Sequence, residues 1–256
     1  MNREADFHFR AIGFVRSPFK IKFGIPRQPG LVSAAKGILK IGSDPDLKTA
    51  LRSLEEFSHL WIVFVFHEHG GKKWKPSIRP PRLGGSRRVG VLASRSPHRP
   101  NPIGLSAVVL DRIDFEAVGG PEIHVSGIDL LDGTPVLDLK PYIPYADSIP
   151  SANAGWAEAP IERVAVVFNP LAEASLLKLT EQAEAPPSSV LRDLIVEILE
   201  LDPRPAFQRR QLPVSAQANE GLGFGIAVLG FEVKYQIKDQ GFLVVSVSTG
   251  PHEKTQ

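Results

Sequence analysis

Proline and glycine set the tightest limit on what this chain can fold into. They number 23 and 22. Through the first 145 residues they cluster between short β-branched or alternating apolar runs, too short and too often interrupted for long helices. The runs are Phe9 to Val15, Leu60 to Phe66, Val89 to Ala93, Leu105 to Leu110, His124 to Ile128 and Val136 to Leu139. One helix is predicted among them, Asp46 to Phe57, where Leu47, Leu51 and Leu54 recur at helical spacing and Asp44 or Asp46 can cap it. Many strands with almost no intervening helix argue against a doubly wound parallel sheet. A small barrel or strongly curved sheet fits, with Lys22 to Gly30, His67 to Ser96 and the turn Asp132 to Pro135 as exposed loops.

Tyr145 to Pro160 loses periodicity and fills with Ala, Ser and Pro, the composition of a linker. Beyond it the pattern is mixed. Glu162 to Phe168, Gly225 to Val233 and Phe242 to Val247 read as strands, Leu171 to Ala183 and Ser188 to Leu201 as amphipathic helices. Ser188 or Ser189 can cap the second helix, Leu191, Leu194, Ile195, Ile198 and Leu199 form its apolar stripe, and Pro203 ends it. The expected fold is therefore mainly β: a small β-barrel domain over residues 1–147, a linker over 148–160, and a smaller α+β C-terminal domain over 161–256.

The formal net charge of +2 hides two unlike halves. Residues 1–110 hold nineteen Lys and Arg against seven Asp and Glu, and the remainder eleven against twenty-one. Gly70 to Pro100 carries nine bases (Lys72, Lys73, Lys75, Arg79, Arg82, Arg87, Arg88, Arg95, Arg99) and no acid. A phosphate-binding face and a solvated basic loop share this footprint, as do nucleic-acid, nucleotide and membrane-surface sites. Cysteine is absent, which excludes disulfides, thiolate metal sites and cysteine nucleophiles and suits a reducing cytoplasm. Met1 to Arg10 lacks the apolar run of a secretory signal, and Leu60 to Phe66, the longest dense apolar stretch, is far short of the roughly 20 residues of a bilayer-crossing helix.

A Walker phosphate loop, a G-x-G-x-x-G fingerprint and a G-x-S-x-G elbow are all missing. Gly221, Gly223 and Gly225 lack phosphate-loop spacing and read as a turn. His67-Glu68-His69 with His59 nearby lacks a second paired ligand group, so no metal is expected. Four segments instead set rigid backbone beside polar groups. Pro26-Arg27-Gln28-Pro29-Gly30 offers a guanidinium and an amide between prolines. Phe64 to His69 runs an apolar strand into His67 and Glu68. Arg95 to Gly104 has three prolines in six residues, holding Arg95, Arg99 and Asn101 on a stiff loop. Asp129 to Pro135 contains the tight-turn pair Asp132-Gly133.

Together these segments resemble the TsaA-like family of tRNA methyltransferases, often called TrmO. The resemblance also runs through Ile12-Gly13, Arg16-Ser17-Pro18, Phe57-Ser58-His59-Leu60-Trp61, Arg79-Pro80-Pro81-Arg82-Leu83-Gly84-Gly85 and Asp138 with Lys140-Pro141-Tyr142. Asp202-Pro203-Arg204-Pro205-Ala206 is similar to the extra domain of the bacterial branch, with Phe207 where that branch has Tyr.

The resemblance implies S-adenosyl-L-methionine held by a small non-Rossmann β-barrel, a homodimer, and a tRNA substrate methylated on N6 of threonylcarbamoyladenosine at position 37, next to the anticodon. It carries the cofactor onto Pro26, Arg27, Gln28, His67, Glu68, Arg95, Leu105, Leu131, Asp132, Gly133 and Thr134. That nitrogen lies between an adenine ring and a urea carbonyl, so its lone pair is delocalised and a general base is useful. His67, Glu68, Asp132 and Tyr142 are the candidates. Arg79, Arg82, Arg87, Arg88, Arg99, Asn101 and Arg204 are the expected substrate and RNA contacts, with Arg27, Arg82 or Arg99 suited to the substrate's own carboxylate. The competing readings are an adenosylmethionine-dependent enzyme with another acceptor and a noncatalytic RNA-binding module.

Overall fold

The structure, a computed structural model, describes residues 6–69, 73–181 and 186–250. Lys72 and the far end of the Leu171–Ala183 segment lie outside them. The first part of the chain contains β1 (Gly13–Arg16), β2 (Lys36–Ile41), α1 (Pro45–Ala50), β3 (His59–Val65), β4 (Ser77–Ile78), β5 (Val89–Gly90), β6 (Ile103–Asp114), β7 (Glu122–Ser126), β8 (Pro135–Pro141) and α2 (Pro144–Asp147). Six of the strands close into a barrel in the order β1-β2-β7-β6-β3-β8, antiparallel at every pairing. Closure comes from β1, which pairs β2 along its length and meets β8 at Gly13↔Val136. Period-two alternation fills the interior: Leu60, Ile62 and Phe64 of β3 are buried, as are Leu39, Val108, Ile123, Val125 and Val136. Gly104 lets β6 pass the Phe64 ring, which a Cβ there would overlap.

After the linker come β9 (Val166–Phe168), α3 (Pro170–Thr180), α4 (Ser188–Glu200), α5 (Ala206–Gln211), β10 (Gly223–Val228), β11 (Phe231–Lys238) and β12 (Gly241–Thr249). The strands form one sheet in the order β10-β11-β12-β9, with β9 parallel to β12. Asn169 caps α3 by accepting from the Ala172 N–H at 2.6 Å, and Pro170 fixes its first turn. The stripe expected on α4 is buried in full, Leu191, Leu194, Ile195, Ile198 and Leu199. Barrel and second sheet meet along polar contacts. Glu197 of α4 accepts from Ser33 Oγ and the Ala34 N–H, and Arg163 donates to the Leu31 carbonyl.

Several elements depart from the sequence expectation for physical reasons. Val89 to Ala93 is only two strand residues followed by a 3-10 turn at Val91–Ala93, which buries Val91. Asp46 to Phe57 divides: α1 starts after Asp44, which accepts from the Asp46 N–H, and stops at Ala50, with a 3-10 turn at Leu54–Glu56. Gly225 to Val233 is a hairpin, because Leu229 (φ 52°) and Gly230 (φ 81°) turn the chain between β10 and β11. Pro187, not a serine, occupies the N-cap of α4, without a side-chain hydrogen bond. The expected loop His67 to Ser96 carries the β4–β5 ribbon; α2 precedes the 148–160 linker, which carries a 3-10 turn at Gly155–Ala157.

Candidate cofactor and substrate site

Strand register alone brings four loops to one mouth of the barrel. β3 ends at Val65 opposite Ile103, where β6 begins, and Phe64 lies opposite Val136 near the start of β8. The segment after β3, the segment before β6 and the turn before β8 therefore share an end. The loop leaving β1 joins them, since the Val15 N–H donates to the Thr134 carbonyl at 2.9 Å and the Gly133 N–H to the Val15 carbonyl at 2.8 Å.

Side chains tie the loops together. Arg95 Nη1 donates to Gln28 Oε1 at 2.5 Å, linking the proline-stiffened Arg95–Gly104 segment to the Pro26–Gly30 loop. Lys22 Nζ lies 3.3 Å from Glu68 Oε2 and donates to the Glu68 carbonyl at 3.1 Å. Lys20 pairs with Asp132 at 2.8 Å, and the other Asp132 oxygen accepts from the Ser17 N–H at 2.8 Å. Thr134 is buried, its hydroxyl donating to the Leu131 carbonyl at 2.7 Å. Gly133 needs its glycine (φ 74°), and no atom lies within 4 Å of where a Cβ would stand, so the turn presents open backbone. Pro26 is buried, His67 is half-buried in the 3-10 turn after β3, and Leu105 stands outward on β6, 51% exposed.

Two residues at this mouth escaped the sequence reading. Asp129 is half-buried; burial pushes its carboxyl up to about 6, against the pull of the Ser106 hydroxyl, its own backbone and the Arg95 cation. Ser106 Oγ donates to it at 2.6 Å. Asp129 was visible as the first residue of its loop; inward-facing Ser106 on β6 carried no signal in one dimension. On the second part of the chain, Arg209-Arg210 is the one pair of adjacent bases in an acidic half. Arg209 Nη2 donates to the Pro81 carbonyl at 3.1 Å and Arg210 Nη1 to the Gly84 carbonyl at 2.8 Å.

Other expected site residues lie elsewhere. Tyr142 is past the far end of β8, against Trp61 (ring centroids 5.6 Å) and His59 (6.1 Å). Eight residues of extended chain, roughly 25 Å, separate it from Thr134. The structure does not bring it to the base candidates His67, Glu68 and Asp132. Arg204, expected at the RNA, is 3% exposed: it donates through Nε and Nη2 to Asp202 at 2.8 and 2.7 Å and through Nη1 to the Leu212 carbonyl at 2.9 Å. Its guanidinium also lies over Phe224 and Phe242, so it braces the second sheet and has no donor face toward solvent. Arg79, Arg87 and Asn101 are exposed; Arg88 donates to Ser77 Oγ, and Arg99 donates to the Ser94 carbonyl at 3.0 Å. Phe207 is exposed on α5. A separate groove of about 370 Å³, lined by Arg16, Lys36, Arg112 and His124 among others, lies on the flank of β1, β2 and β7.

Comparison with known proteins is consistent across the chain. The family model for the tRNA-methyltransferase O N-terminal domain matches residues 14–148, and that for the TrmO C-terminal domain matches residues 161–250. The tRNA (adenine(37)-N6)-methyltransferase of Escherichia coli (strain K12) is 42% identical over 95% of this chain and 98% of its own length. A Pyrococcus abyssi protein named for binding S-adenosyl-L-methionine is 33% identical over 69% of this chain and 95% of its own. The crystal structure of TrmO from Pseudomonas aeruginosa superposes with a TM-score of 0.74 at 34% identity, covering 95% of this chain and 99% of that one. Two family models in order, spanning barrel and second sheet alike, decide the question: the chain belongs to the tRNA-methyltransferase O family.

Proposed function

We propose that this chain is an S-adenosylmethionine-dependent N-methyltransferase acting on N6 of threonylcarbamoyladenosine at position 37 of tRNA, next to the anticodon. The observation that carries the reading is the convergence of Pro26–Gly30, His67–Glu68, Arg95 and Leu131–Thr134 at one barrel mouth, in a chain of this family.

The residues suit the cofactor. The open backbone at Gly133 admits a flat ring or ribose against the turn, while Arg95 offers guanidinium to its carboxylate, and Glu68 and Asp132 offer carboxylate to its ammonium. When bound, adenosylmethionine supplies a sulfonium methyl: the C–S bond breaks as the C–N bond forms, and the N6 proton leaves to a base. The chain's task is alignment, exclusion of water and acceptance of that proton. Among the carboxylates Asp129 fits best, since burial raises its pKa to about 6, while Asp132 and Glu68 are engaged by Lys20 and Lys22. His67 is the second candidate.

Arg79, Arg87, Arg88 and Asn101 form the tRNA face. The working unit is a cytoplasmic homodimer, in which a second copy covers the outer side of β3 and β6. Trp61, Val63, Val65, Ile103, Leu105 and Val109 make an apolar strip there that runs into the cofactor loops. Light scattering tests this assembly; a monomer at micromolar concentration refutes it.

Methyl incorporation tests the activity, with tRNA that carries the threonylcarbamoyl group and tRNA that lacks it. Labelling of the first alone is expected. Equal labelling of both overturns the substrate, and failure to bind adenosylmethionine by calorimetry favours a noncatalytic RNA-binding module.

A further inference from the structure

Three arginines gather between the barrel mouth and the second sheet, none of them held in an ion pair among the described residues. Arg27 lies on the loop after β1, Arg82 in the turn of the β4–β5 ribbon, and Arg209 on α5. α5 is pinned to that turn by the Arg209 bond to the Pro81 carbonyl, next to Arg82, and by Arg210 on Gly84. The Nε–H groups of Arg82 and Arg209 are both buried, and neither has a hydrogen-bond partner among the described residues. Arg27, exposed on its loop, feels the Arg209 charge: desolvation, then that cation, push its pKa down to about 10, with Asp202 pulling the other way. That acid is already taken, since both Asp202 oxygens accept from Arg204. The ion pairs among the described residues engage Arg112, Arg163, Arg192 and Arg204, and none of the three.

Buried donors without acceptors and cations facing one another are each unfavourable. An oxyanion between them relieves both at once, accepting charge-assisted bonds from planar groups shaped for it. Arg99 bonds the Ser94 carbonyl and, unlike Arg82 and Arg209, has no buried Nε–H left without a partner.

We propose that Arg82 and Arg209, with Arg27 at the edge, form a cradle built jointly by the two parts of the chain for the free carboxylate of the substrate's threonyl group. The inference rests on the substrate named above. That carboxylate is only a few bonds from the reacting nitrogen, and Arg27 belongs to the loop that Gln28 ties to Arg95 at the barrel mouth, so one anion can bridge cradle and cofactor loops. The cradle makes the second sheet part of substrate selection: a site built to pair a charge rejects an analogue that lacks it.

The decisive measurement compares kcat/KM for full-length protein on threonylcarbamoylated tRNA and on the same tRNA with that carboxylate converted to an amide. The wild type is expected to lose about 10- to 100-fold on amidation, the worth of a charge-assisted bond. Arg82→Gln and Arg209→Gln are expected to lose a similar factor on the native tRNA and little more on the amide, with adenosylmethionine affinity by calorimetry unchanged. Equal wild-type rates on acid and amide overturn the cradle without needing any variant to fold. Variants that weaken both tRNAs by the same factor and flatten the salt dependence show a backbone-phosphate site instead, which also overturns it. Methylation of tRNA lacking the threonylcarbamoyl group refutes the substrate reading itself, a separate result.

Discussion

Replacing Arg204 with methionine removes a cation from a closed setting, and the cost can be worked from its contacts. The side chain is 2% exposed and that of its partner Asp202 13%. Removing the cation leaves the carboxylate buried and unpaired, which costs about 3–5 kcal/mol. The Leu212 carbonyl loses its donor, and the stacking over Phe224 (4.9 Å) and Phe242 (5.2 Å) goes too. These contributions overlap, so about 4 kcal/mol in all is expected. With a urea slope near 2 kcal/mol per molar, the unfolding midpoint should fall by roughly 2 M. Arg204→Met combined with Asp202→Asn should recover much of the loss, because the orphaned charge is removed while Asn tolerates the positive φ (45°) of that position. Urea unfolding followed by circular dichroism measures both, and filter binding at low temperature measures tRNA affinity of the folded variant, expected within twofold of wild type. A midpoint shift under 0.3 M with a tenfold loss of tRNA affinity would falsify the bracing role.

Asp129 predicts a pH dependence of definite sign. Its folded pKa of about 6 lies above the ordinary value near 3.9. The native state therefore binds more protons between pH 4 and 6, and stability falls as pH rises through that window. Asp129→Asn should flatten the slope and leave the protein at least as stable at pH 7; its activity should fall about 100- to 10,000-fold, the worth of a general base, and lose the acid limb near pH 6 that the wild type shows. Unchanged slope and unchanged profile together remove Asp129 from the site. Gly104→Ala should cost about 1–3 kcal/mol by forcing a methyl into the Phe64 ring; a melting temperature within 1 °C of wild type contradicts that packing. For tRNA binding, Lys73, Lys75, Arg79, Arg87 and Arg88 are exposed bases. If each neutralises one phosphate, affinity should fall about 100-fold between 50 and 200 mM salt, and a fall under fivefold refutes an electrostatic face.

The barrel was legible wherever a strand alternates strictly. Leu60, Ile62 and Phe64 announce β3, and the α4 stripe announces itself over three turns. β2 was not legible: Lys36-Gly37-Ile38-Leu39-Lys40-Ile41 follows a loop and contains a glycine, and its burial depends on β1 and β7 flanking it. The hairpin at Leu229-Gly230 was hidden because the turn uses a leucine at positive φ, where sequence rules expect Asn or Asp. At the site, Pro and Gly marked the loops and so most of the candidate residues. Arg204 misled because a charge in a Pro-flanked motif looks exposed; its aromatic partners lie about 20 and 40 positions onward. Arg209 was missed for the converse reason, since only the fold sets α5 beside the Pro81–Gly85 turn.

The opposed charges of the two halves bear on how they cooperate. If the acidic half served to neutralise the basic one, ion pairs would cross between barrel and second sheet. Among the described residues none does: those from Lys20 to Lys140 stay within the barrel part, and Arg163, Arg192 and Arg204 pair within the second. The crossing contacts use neutral partners on the barrel side, the Leu31, Pro81 and Gly84 carbonyls and the Ser33 hydroxyl. This holds the two parts together while leaving Arg79, Arg87 and Arg88 uncompensated, so their field remains available to an incoming polyanion. The second sheet thus adds cations, Arg209 and Arg210, where the barrel is already basic. That arrangement is unfavourable for folding alone and fits the proposed entry of an anionic substrate between the two parts.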